Sequence, residues 1–315
     1  MKKTGSSAER PLKGAAMLLK AQSPNLEIGK ILEWSRRELA SLGAEEAGAS
    51  AERLLEEVLG LERAFLYLNA GEGISKKKAE DYRRLILKRK ARVPVAYLLR
   101  KAYFWNEVLE MRPGCLIPRP ETEILVDAFI RHSGFQKQNR FSFLDLGSGS
   151  GAIGIALLRH FPKARGTFSD ISRKALEVTR LNLKKYKLLN RAEIIGSDLF
   201  EKFGKSAGSK WAAILSNPPY VAQRDLPGLE PELKREPALA LDGGKDGFLF
   251  YRKIIRQAKR FLVPEGWLVL EMGAGQSAKI SSLISQNGFT GKKIFKDYSG
   301  IPRVMMARFE SRLHG

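Results

Sequence analysis

Short continuous apolar runs alternate with stretches of helical spacing from about residue 119 to the end of the chain. The runs predict strands near residues 141–146, 164–169, 192–197, 211–216, 267–272, 290–296 and 303–309. Helices are predicted between the first five strands, and this alternation is typical of a parallel, doubly wound α/β sheet. Only residues 297–302 separate the last two strands. That segment is too short for a helical crossover, so we predict an antiparallel pair.

Helical spacing dominates the earlier part of the chain, residues 27–92. One apolar face runs through residues 28–42 and a second through 51–59, and each is followed by a glycine that suits a helix end. A third face includes Tyr82 and follows Ser75, whose side chain suits a helix N-cap. These patterns predict a small helical bundle.

Four segments with different patterns follow one another along the chain. We predict a disordered basic tail (1–24), a helical domain (25–100), a β-hairpin linker (101–118) and an α/β domain (119–315). Within the linker, segments 104–111 and 115–117 are predicted to pair as a hairpin around Arg112-Pro-Gly114.

Asn217-Pro218-Pro219-Tyr220 follows a predicted buried strand. The prolines have no N–H and force an extended backbone, so the Asn217 side-chain oxygen and the Pro218 carbonyl are available as acceptors. Two such acceptors suit the two hydrogens of one planar N–H₂ group, and the Tyr220 ring can cover its flat face. The tetrapeptide alone is also compatible with a stiff turn in which Tyr220 only packs.

A glycine-rich turn, Gly147-Ser148-Gly149-Ser150-Gly151, lies between the first predicted strand and a helix. This is the first unit of a nucleotide-binding sheet. Together with Gly154 it also satisfies the dinucleotide fingerprint, so an NAD-binding domain stays open here. Asp170 ends the next strand at about the distance expected of a carboxylate that binds ribose hydroxyls, although it suits a helix N-cap as well.

With these segments, the chain resembles the class I S-adenosylmethionine-dependent methyltransferases, and among them the HemK-type glutamine methyltransferases of peptide chain release factors. The likeness covers roughly residues 93 to 308. The matching segments are Ile117-Pro-Arg-Pro-Glu-Thr-Glu123, Asp145-Leu-Gly-Ser-Gly-Ser-Gly151, Ser169-Asp-Ile171, Gly196-Ser-Asp198, Ser216-Asn-Pro-Pro-Tyr-Val221, Glu236-Pro-Ala-Leu239, Asp242-Gly-Gly-Lys-Asp-Gly247 and Asp297-Tyr-Ser-Gly-Ile-Pro-Arg303. The chain departs from the family's pattern at Arg100, where glycine is usual, and at Arg235, where an aromatic residue is common.

The resemblance implies a seven-stranded methyltransferase sheet, S-adenosyl-L-methionine as cofactor, and the glutamine of a release factor's Gly-Gly-Gln motif as methyl acceptor. It implies that the helical domain helps to grip the release factor. Asn217, Pro218 and Tyr220 are the implied catalytic residues, and with Pro219 they bind the substrate. The implied cofactor-binding residues are Gly147, Ser148, Gly149, Ser150, Gly151, Asp170, Asp198, Leu199, Asn217, Phe104, Pro120 and Glu121.

Composition agrees with an intracellular enzyme. The single cysteine, Cys115, excludes an internal disulfide, and three scattered histidines make a catalytic zinc site a poor hypothesis. No apolar run reaches membrane-helix length, so we expect a cytoplasmic protein without a membrane partner. We also expect a monomer. The formal net charge of +21 predicts weak, non-specific contact with nucleic acid. The runs Lys76–Lys78 and Lys88–Lys90 are either solvated helix faces or a docking surface.

Three classes of function remain open from the sequence. A protein glutamine methyltransferase ranks first, and Pro120-Glu121-Thr122 favours the release-factor branch over the ribosomal-protein branch. A nucleic-acid adenine-N6 methyltransferase ranks second, because adenine also presents a planar N–H₂ group. An NAD-dependent oxidoreductase or a silent binding module ranks third, because the antiparallel edge pair is not typical of an NAD domain.

Overall fold

The computed structural model describes residues 26–204 and 211–310. The chain divides into two compact units after Ala91. The tail predicted to be disordered, residues 1–24, lies outside the described residues.

The first unit is helical, as predicted. Its helices are α1 (Ile28–Glu38), α2 (Ala44–Leu59), α3 (Arg63–Leu68) and α4 (Lys76–Lys90), and its two-residue strands β1 (Leu26–Glu27) and β2 (Gly73–Ile74) pair antiparallel. Ser75 is the N-cap of α4, where its side chain accepts a hydrogen bond from the Lys78 N–H. Helix α3 and the strands were not predicted, because six or two residues are too few to establish a period.

The second unit contains the predicted sheet. Helix α5 (Val95–Leu99) and the hairpin strands β3 (Lys101–Phe104) and β4 (Glu107–Glu110) come first, followed by α6 (Pro120–His132). The further elements are β5 (Ser142–Leu146), α7 (Ala152–His160), β6 (Arg165–Asp170), α8 (Arg173–Lys185), β7 (Ala192–Gly196), β8 (Trp211–Ser216), α9 (Leu249–Ala258), β9 (Leu262–Glu271), α10 (Ser277–Gln286), β10 (Thr290–Lys296) and β11 (Pro302–Phe309).

The seven strands of the large sheet lie in the order β10-β11-β9-β8-β5-β6-β7. Strands β5 to β9 pair parallel, and β11 pairs antiparallel with both β9 and β10, which confirms the predicted edge pair. The chain order reverses between β5 and β8, and at such a point the carboxyl ends of the strands open a crevice.

One connection and one strand boundary differ from the prediction. Between β7 and β8 the described residues contain only a 3-10 turn, Glu201–Phe203, where we predicted a helix. Strand β9 begins at Leu262 rather than near 267, because the backbone stays in the sheet around an irregularity in which Glu265 has φ 62°.

The hairpin lies at a different place from the one predicted. Its strands β3 and β4 are joined by the two-residue turn Trp105-Asn106, not by Arg112-Pro-Gly114, and the segment 115–117 is not a strand. In the observed register the alternate residues Ala102 and Phe104 face the interior. Trp105 has φ 56°, the left-handed conformation that a tight hairpin turn requires. The sequence offered no Gly there to indicate it.

Arg100 explains why glycine is usual at its position. It ends α5 with φ 55°, in the left-handed region where a β-carbon is unfavourable. The Arg100 carbonyl still accepts the Met111 N–H, so the linker keeps its backbone path with arginine in place.

Helix α7 packs unusually close to β6. A β-carbon at Gly154 would lie 2.3 Å from the Phe168 ring and 3.0 Å from Asp145 Oδ2. The Gly154 N–H donates to that same Asp145 oxygen at 2.9 Å. Glycine at this position therefore lets the helix that follows the glycine-rich turn approach the sheet.

We expect Gly154→Ala to destabilise the second unit by about 1–3 kcal/mol, because the added methyl group must displace a buried aromatic ring. Urea unfolding of variant and parent measures the change. Gly228→Ala is the matched control, since a β-carbon there meets nothing within 4 Å. Equal stability of Gly154→Ala and the parent would contradict the close packing of α7.

Candidate active site

A cavity opens where strands β5, β6, β7 and β8 end. Its wall includes Gly147 and Gly149 after β5, Asp170 at the end of β6, Asp198 and Leu199 after β7, and Asn217, Pro218 and Pro219 after β8. The tertiary structure thus brings together eight of the residues singled out in the sequence. The remaining wall is mostly apolar and includes Leu116, Ile171, Pro237, Leu239, Ala240 and Phe250.

All three glycines of the glycine-rich turn have a left-handed backbone. Gly147, Gly149 and Gly151 have φ values of 72°, 57° and 81°. The N–H groups of Gly147 and Ser148 both donate to the Ser169 carbonyl, which holds the turn against β6. Ser148, Ser150 and Gly151 are buried and do not line the cavity. They shape the turn, and Gly147 and Gly149 form its exposed surface.

Asp170 is held by the turn that it faces. One carboxylate oxygen accepts the Gly149 N–H at 2.9 Å and the other accepts the Ser172 N–H at 2.8 Å. Burial raises its pKa, and the backbone hydrogen bonds oppose that rise. The N-cap of α8 is Ser172, whose hydroxyl accepts the Ala175 N–H. A carboxylate has about four acceptor sites, so both oxygens can still accept hydroxyl groups from the cavity.

The part of the cavity beyond Asp170 suits a flat apolar ring. Ile171 and Leu239 are large apolar side chains that stay 52% and 53% exposed, and both line the cavity. Leu199 has φ 46°, and its carbonyl accepts a hydrogen bond from the Ser197 hydroxyl at 3.0 Å. A nucleoside with its ribose at Asp170 and its base between these side chains fits the residues present.

The segment Asn217–Tyr220 leaves β8 as an extended strand end and is clamped by a neighbouring loop. The Val221 N–H donates to the Leu241 carbonyl, and Gln276 Nε2 donates to the Tyr220 carbonyl at 3.1 Å. A β-carbon at Gly243 or Gly247 would lie 2.7 Å or 2.6 Å from the Tyr220 backbone. Gly243 and Gly247 are therefore needed for the close approach of the two segments.

Asn217 contacts α6. Its side-chain Nδ2 donates to the Thr122 hydroxyl at 3.0 Å. Among the described residues, none donates a hydrogen bond to Asn217 Oδ1 or to the Pro218 carbonyl. Both acceptors therefore remain available beside the cavity.

Tyr220 is unsuited to act as a base. Burial and, to a smaller extent, the Glu271 carboxyl raise the pKa of its phenol to about 12, and the guanidinium groups of Arg303 and Arg119 oppose this rise. The phenol is protonated at neutral pH.

Three further predicted cofactor residues, besides Ser148, Ser150 and Gly151, do not line the cavity. Phe104 is 1% exposed and packs in the hydrophobic core. Pro120 is exposed at the start of α6, and Glu121 follows it in the first turn. The preceding loop is fixed by the buried Glu236, which accepts the Ile117 N–H at 2.9 Å and pairs with Arg119.

Sequence reasoning missed several residues of this region. Thr122 and Glu236 lie inside segments that carried the resemblance, yet no role was assigned to either. Ile171 directly follows Asp170, which is the signal by which it could have been found. Glu271 stands at the end of the apolar run of β9, and nothing in its sequence context indicates a role.

Asp145, the first residue of the glycine-rich motif, is fully buried. Its Oδ2 accepts the Gly154 N–H, and its Oδ1 has no hydrogen-bond partner among the described residues. Burial raises its pKa to about 8, against the stabilising hydrogen bond from Gly154 and with a small addition from Asp170.

Residues 26–204 and 211–310 contain no group of three or more side chains suited to hold a metal ion. No helix in this part of the chain is both long and apolar enough to span a lipid bilayer.

The sheet with its antiparallel edge pair, the glycine-rich turn and the cavity at the strand ends define a methyltransferase that uses S-adenosylmethionine. Two family models match the chain: PrmC N-terminal domain over residues 30–99 and Methyltransferase small domain over residues 121–230.

A "Release factor glutamine methyltransferase" of Geobacter sulfurreducens is 35% identical over 89% of this chain and 96% of its own length. Another of the same name from Thermodesulfovibrio yellowstonii is 35% identical over 81% of this chain and 90% of its own length. A solved structure, "protein-(glutamine-N5) methyltransferase (release factor-specific)" from Alicyclobacillus acidocaldarius, is 26% identical, with a TM-score of 0.37, over 64% of this chain and 99% of that chain. The chain belongs to the release factor glutamine methyltransferase family.

The buried Asp145 predicts a particular pH dependence of stability. A carboxyl group ionises near pH 4 in the unfolded chain, whereas this one keeps its proton to about pH 8 in the folded protein. The folded state then binds more protons between these values, so the contribution of Asp145 to stability falls as pH rises from about 4 to about 8.

We expect the uncharged variant Asp145→Asn to lose this trend. Thermal unfolding of the cofactor-free proteins at several pH values measures it. The difference in melting temperature, variant minus parent, should become more positive as pH increases. A difference that is constant between pH 5 and pH 8 would contradict the raised pKa.

Proposed function

We propose that this chain transfers a methyl group to the side-chain nitrogen of the glutamine in the Gly-Gly-Gln motif of peptide chain release factors. The observation that carries the proposal is the pair of acceptors, Asn217 Oδ1 and the Pro218 carbonyl, beside a cavity that suits S-adenosylmethionine. The names of the relatives agree with it.

Residues that line the cavity or support its wall would hold the cofactor. Asp170 would accept the ribose hydroxyls, Gly147 and Gly149 would let the backbone approach, and Ser148, Ser150 and Gly151 would keep the turn in shape. Asp198 and Leu199 would border the adenine, opposite Ile171. Pro120 and Glu121 would close the methionine side, and Phe104 would support that side from the core.

The protein's contribution to the chemistry is orientation. Bound S-adenosylmethionine supplies an electrophilic methyl group on a sulfonium. A carboxamide nitrogen is a poor nucleophile because its lone pair is delocalised. Asn217 Oδ1 and the Pro218 carbonyl would accept hydrogen bonds from its two N–H groups, aim the nitrogen and stabilise the N–H groups as they become more acidic. Pro219 would keep the segment extended, and Tyr220 would cover the flat face of the amide.

The other functions considered have less support. Membership of a methyltransferase family excludes the NAD-dependent oxidoreductase. Adenine could occupy the same pair of acceptors, and so could the glutamine of a ribosomal protein. Several relatives that match more than 80% of the chain are named for release factors, which favours the first acceptor.

We further propose that the helical unit contacts the release factor. Helix α3 presents Phe65, Tyr67 and Leu68 with large exposed areas, and exposed apolar side chains in a group mark protein-binding surfaces. The net charge of +21 would steer the protein towards ribonucleoprotein particles and allow weak, non-specific contact with nucleic acid. We propose a cytoplasmic monomer.

The test of the function is mass spectrometry of a release factor after incubation with the protein and labelled S-adenosylmethionine. Methylation of the Gly-Gly-Gln glutamine supports the proposal, and a release factor with that glutamine replaced by Ala should stay unlabelled. Labelling of adenine in DNA or RNA, with none in the release factor, would refute it.

We expect Asp170→Ala to weaken S-adenosylmethionine binding by about 1.5–3 kcal/mol, because hydrogen bonds to a charged group are lost. Titration calorimetry measures the affinity. Asp127→Ala is the control, since Asp127 lies on α6, pairs with Arg131 and does not line the cavity. Unchanged affinity in Asp170→Ala, or tight NAD binding by the parent, would remove this assignment.

We expect Asn217→Ala to lower turnover by about 10² to 10³, the usual effect of removing one preorganised hydrogen-bonding group. Cofactor affinity should be retained, because Asn217 acts on the incoming amide. Asn217→Asp adds a negative charge beside the sulfonium and should tighten cofactor binding while it disturbs substrate alignment. Single-turnover rates and cofactor titrations separate the effects. Turnover near the parent rate in Asn217→Ala would show that Asn217–Tyr220 is only a stiff turn without a role in the chemistry.

A further inference from the structure

Three polar side chains lie next to one another behind the acceptor pair. Asn217 follows β8, Thr122 lies in the first turn of α6 and is 4% exposed, and Glu271 ends β9 and is 1% exposed. Asn217 Nδ2 donates to the Thr122 hydroxyl at 3.0 Å, and Thr122 lies close enough to the Glu271 carboxyl to favour its ionised form. Glu271 Oε2 has no partner among the described residues.

The direction in which the Thr122 hydrogen points decides which end of the Asn217 amide faces the cavity, and the unpartnered Glu271 carboxyl is an acceptor for that hydrogen. A hydroxyl group has one hydrogen and two acceptor sites. When Thr122 donates its hydrogen to Glu271, it can only accept from Asn217. The Nδ2 end of the amide then faces Thr122, and Oδ1 faces the cavity as an acceptor.

We propose that Thr122 is a positioning residue that fixes the orientation of the Asn217 amide, and that Glu271 determines the direction in which the Thr122 hydrogen points. This inference rests on the proposed function, in which Asn217 Oδ1 accepts a hydrogen bond from the substrate amide. Neither residue touches the substrate, and both act through Asn217.

Protonation of Glu271 reverses the direction of hydrogen bonding from Glu271 through Thr122 to Asn217. A carboxylic acid can donate to the Thr122 oxygen, and the Thr122 hydrogen is then available to Asn217 Oδ1. The amide that turns to accept it presents Nδ2–H₂ to the cavity, where it opposes the N–H₂ of the substrate. The orientation that supports transfer therefore requires the ionised form of Glu271.

The surroundings of Glu271 place this change near neutral pH. Burial raises its pKa to about 7, Thr122 opposes the rise, Glu121 adds to it, and Arg303 and Arg119 oppose it. Tyr220 and Tyr251 are also close enough to interact with it electrostatically. The guanidinium groups keep their charge throughout this range, and burial keeps both phenols protonated. Glu271 is thus the group that changes charge.

The first test compares Thr122→Val with Thr122→Ser under single-turnover conditions with a release-factor substrate. Valine keeps the shape and removes the hydroxyl, so we expect the rate to fall by about 10- to 100-fold, less than the loss of the oriented group itself because Thr122 acts through Asn217. Serine keeps the hydroxyl and should restore most of the rate. Affinity for S-adenosylmethionine should be the same in both. A Thr122→Val rate within twofold of the parent would overturn the proposal, and so would a Thr122→Ser rate as low as that of Thr122→Val.

The second test is the pH profile of the same rate. The parent should gain activity with an apparent midpoint near pH 7, and Thr122→Ser should keep that rise. Glu271→Gln places a permanent donor against Thr122, so its rate should be low and should lack this rise from pH 5.5 to 8.5. A parent-like rise in Glu271→Gln would overturn the role of Glu271.

The double variant Asn217→Ala with Thr122→Val separates this inference from the proposed function. If Thr122 acts through Asn217, removing its hydroxyl has no further effect in the Asn217→Ala background. Independent, multiplicative losses would assign Thr122 a merely structural role and leave the proposed function intact. An active Asn217→Ala single variant would overturn both. If Thr122→Val is poorly folded by thermal unfolding, Thr122→Ala takes its place against Thr122→Ser.

Discussion

The site depends on one buried hydrogen bond, from the Gly154 N–H to the Asp145 carboxyl. It joins the end of β5 to the first turn of α7 and so closes the glycine-rich turn between them. The absence of a side chain at Gly154 is what allows the approach, because Phe168 of β6 fills the space beside it. Gly149, held this way, donates to Asp170. The position of Asp170, the proposed ribose ligand, thus follows from the packing of one helix on the sheet.

The position of the acceptor pair also depends on residues that are distant in the sequence. Two prolines make Asn217–Tyr220 stiff, but stiffness alone does not determine where the segment points. The loop Asp242–Gly247 and the side chain of Gln276 hold it from one side, and Thr122 holds it from the other. In this arrangement rigid neighbours orient a side chain before the substrate arrives, which is how enzymes limit the cost of ordering during the reaction.

Buried carboxyl groups surround the site although the whole chain is strongly basic. Asp145, Asp170 and Glu271 all have a pKa raised by burial. The net charge describes the outer surface and long-range steering, whereas these carboxyl groups lie in a low-dielectric interior. Composition therefore contributes little to the assignment of the site.

Local patterns in the sequence determined most of the elements, the order of the strands along the chain, the glycine-rich turn and the acceptor segment. The hairpin turn at Trp105-Asn106 was mislocated because its left-handed residue is not a glycine. Only the tertiary structure decided which side chains meet. Thr122 reaches Asn217 across 95 positions of sequence, and Glu236 reaches Ile117 across 119. Glu271 lies in an apolar run that predicts only a strand. Such contacts depend on how the helices pack on the sheet, and the spacing of residues along one strand or helix contains no information about a partner on another.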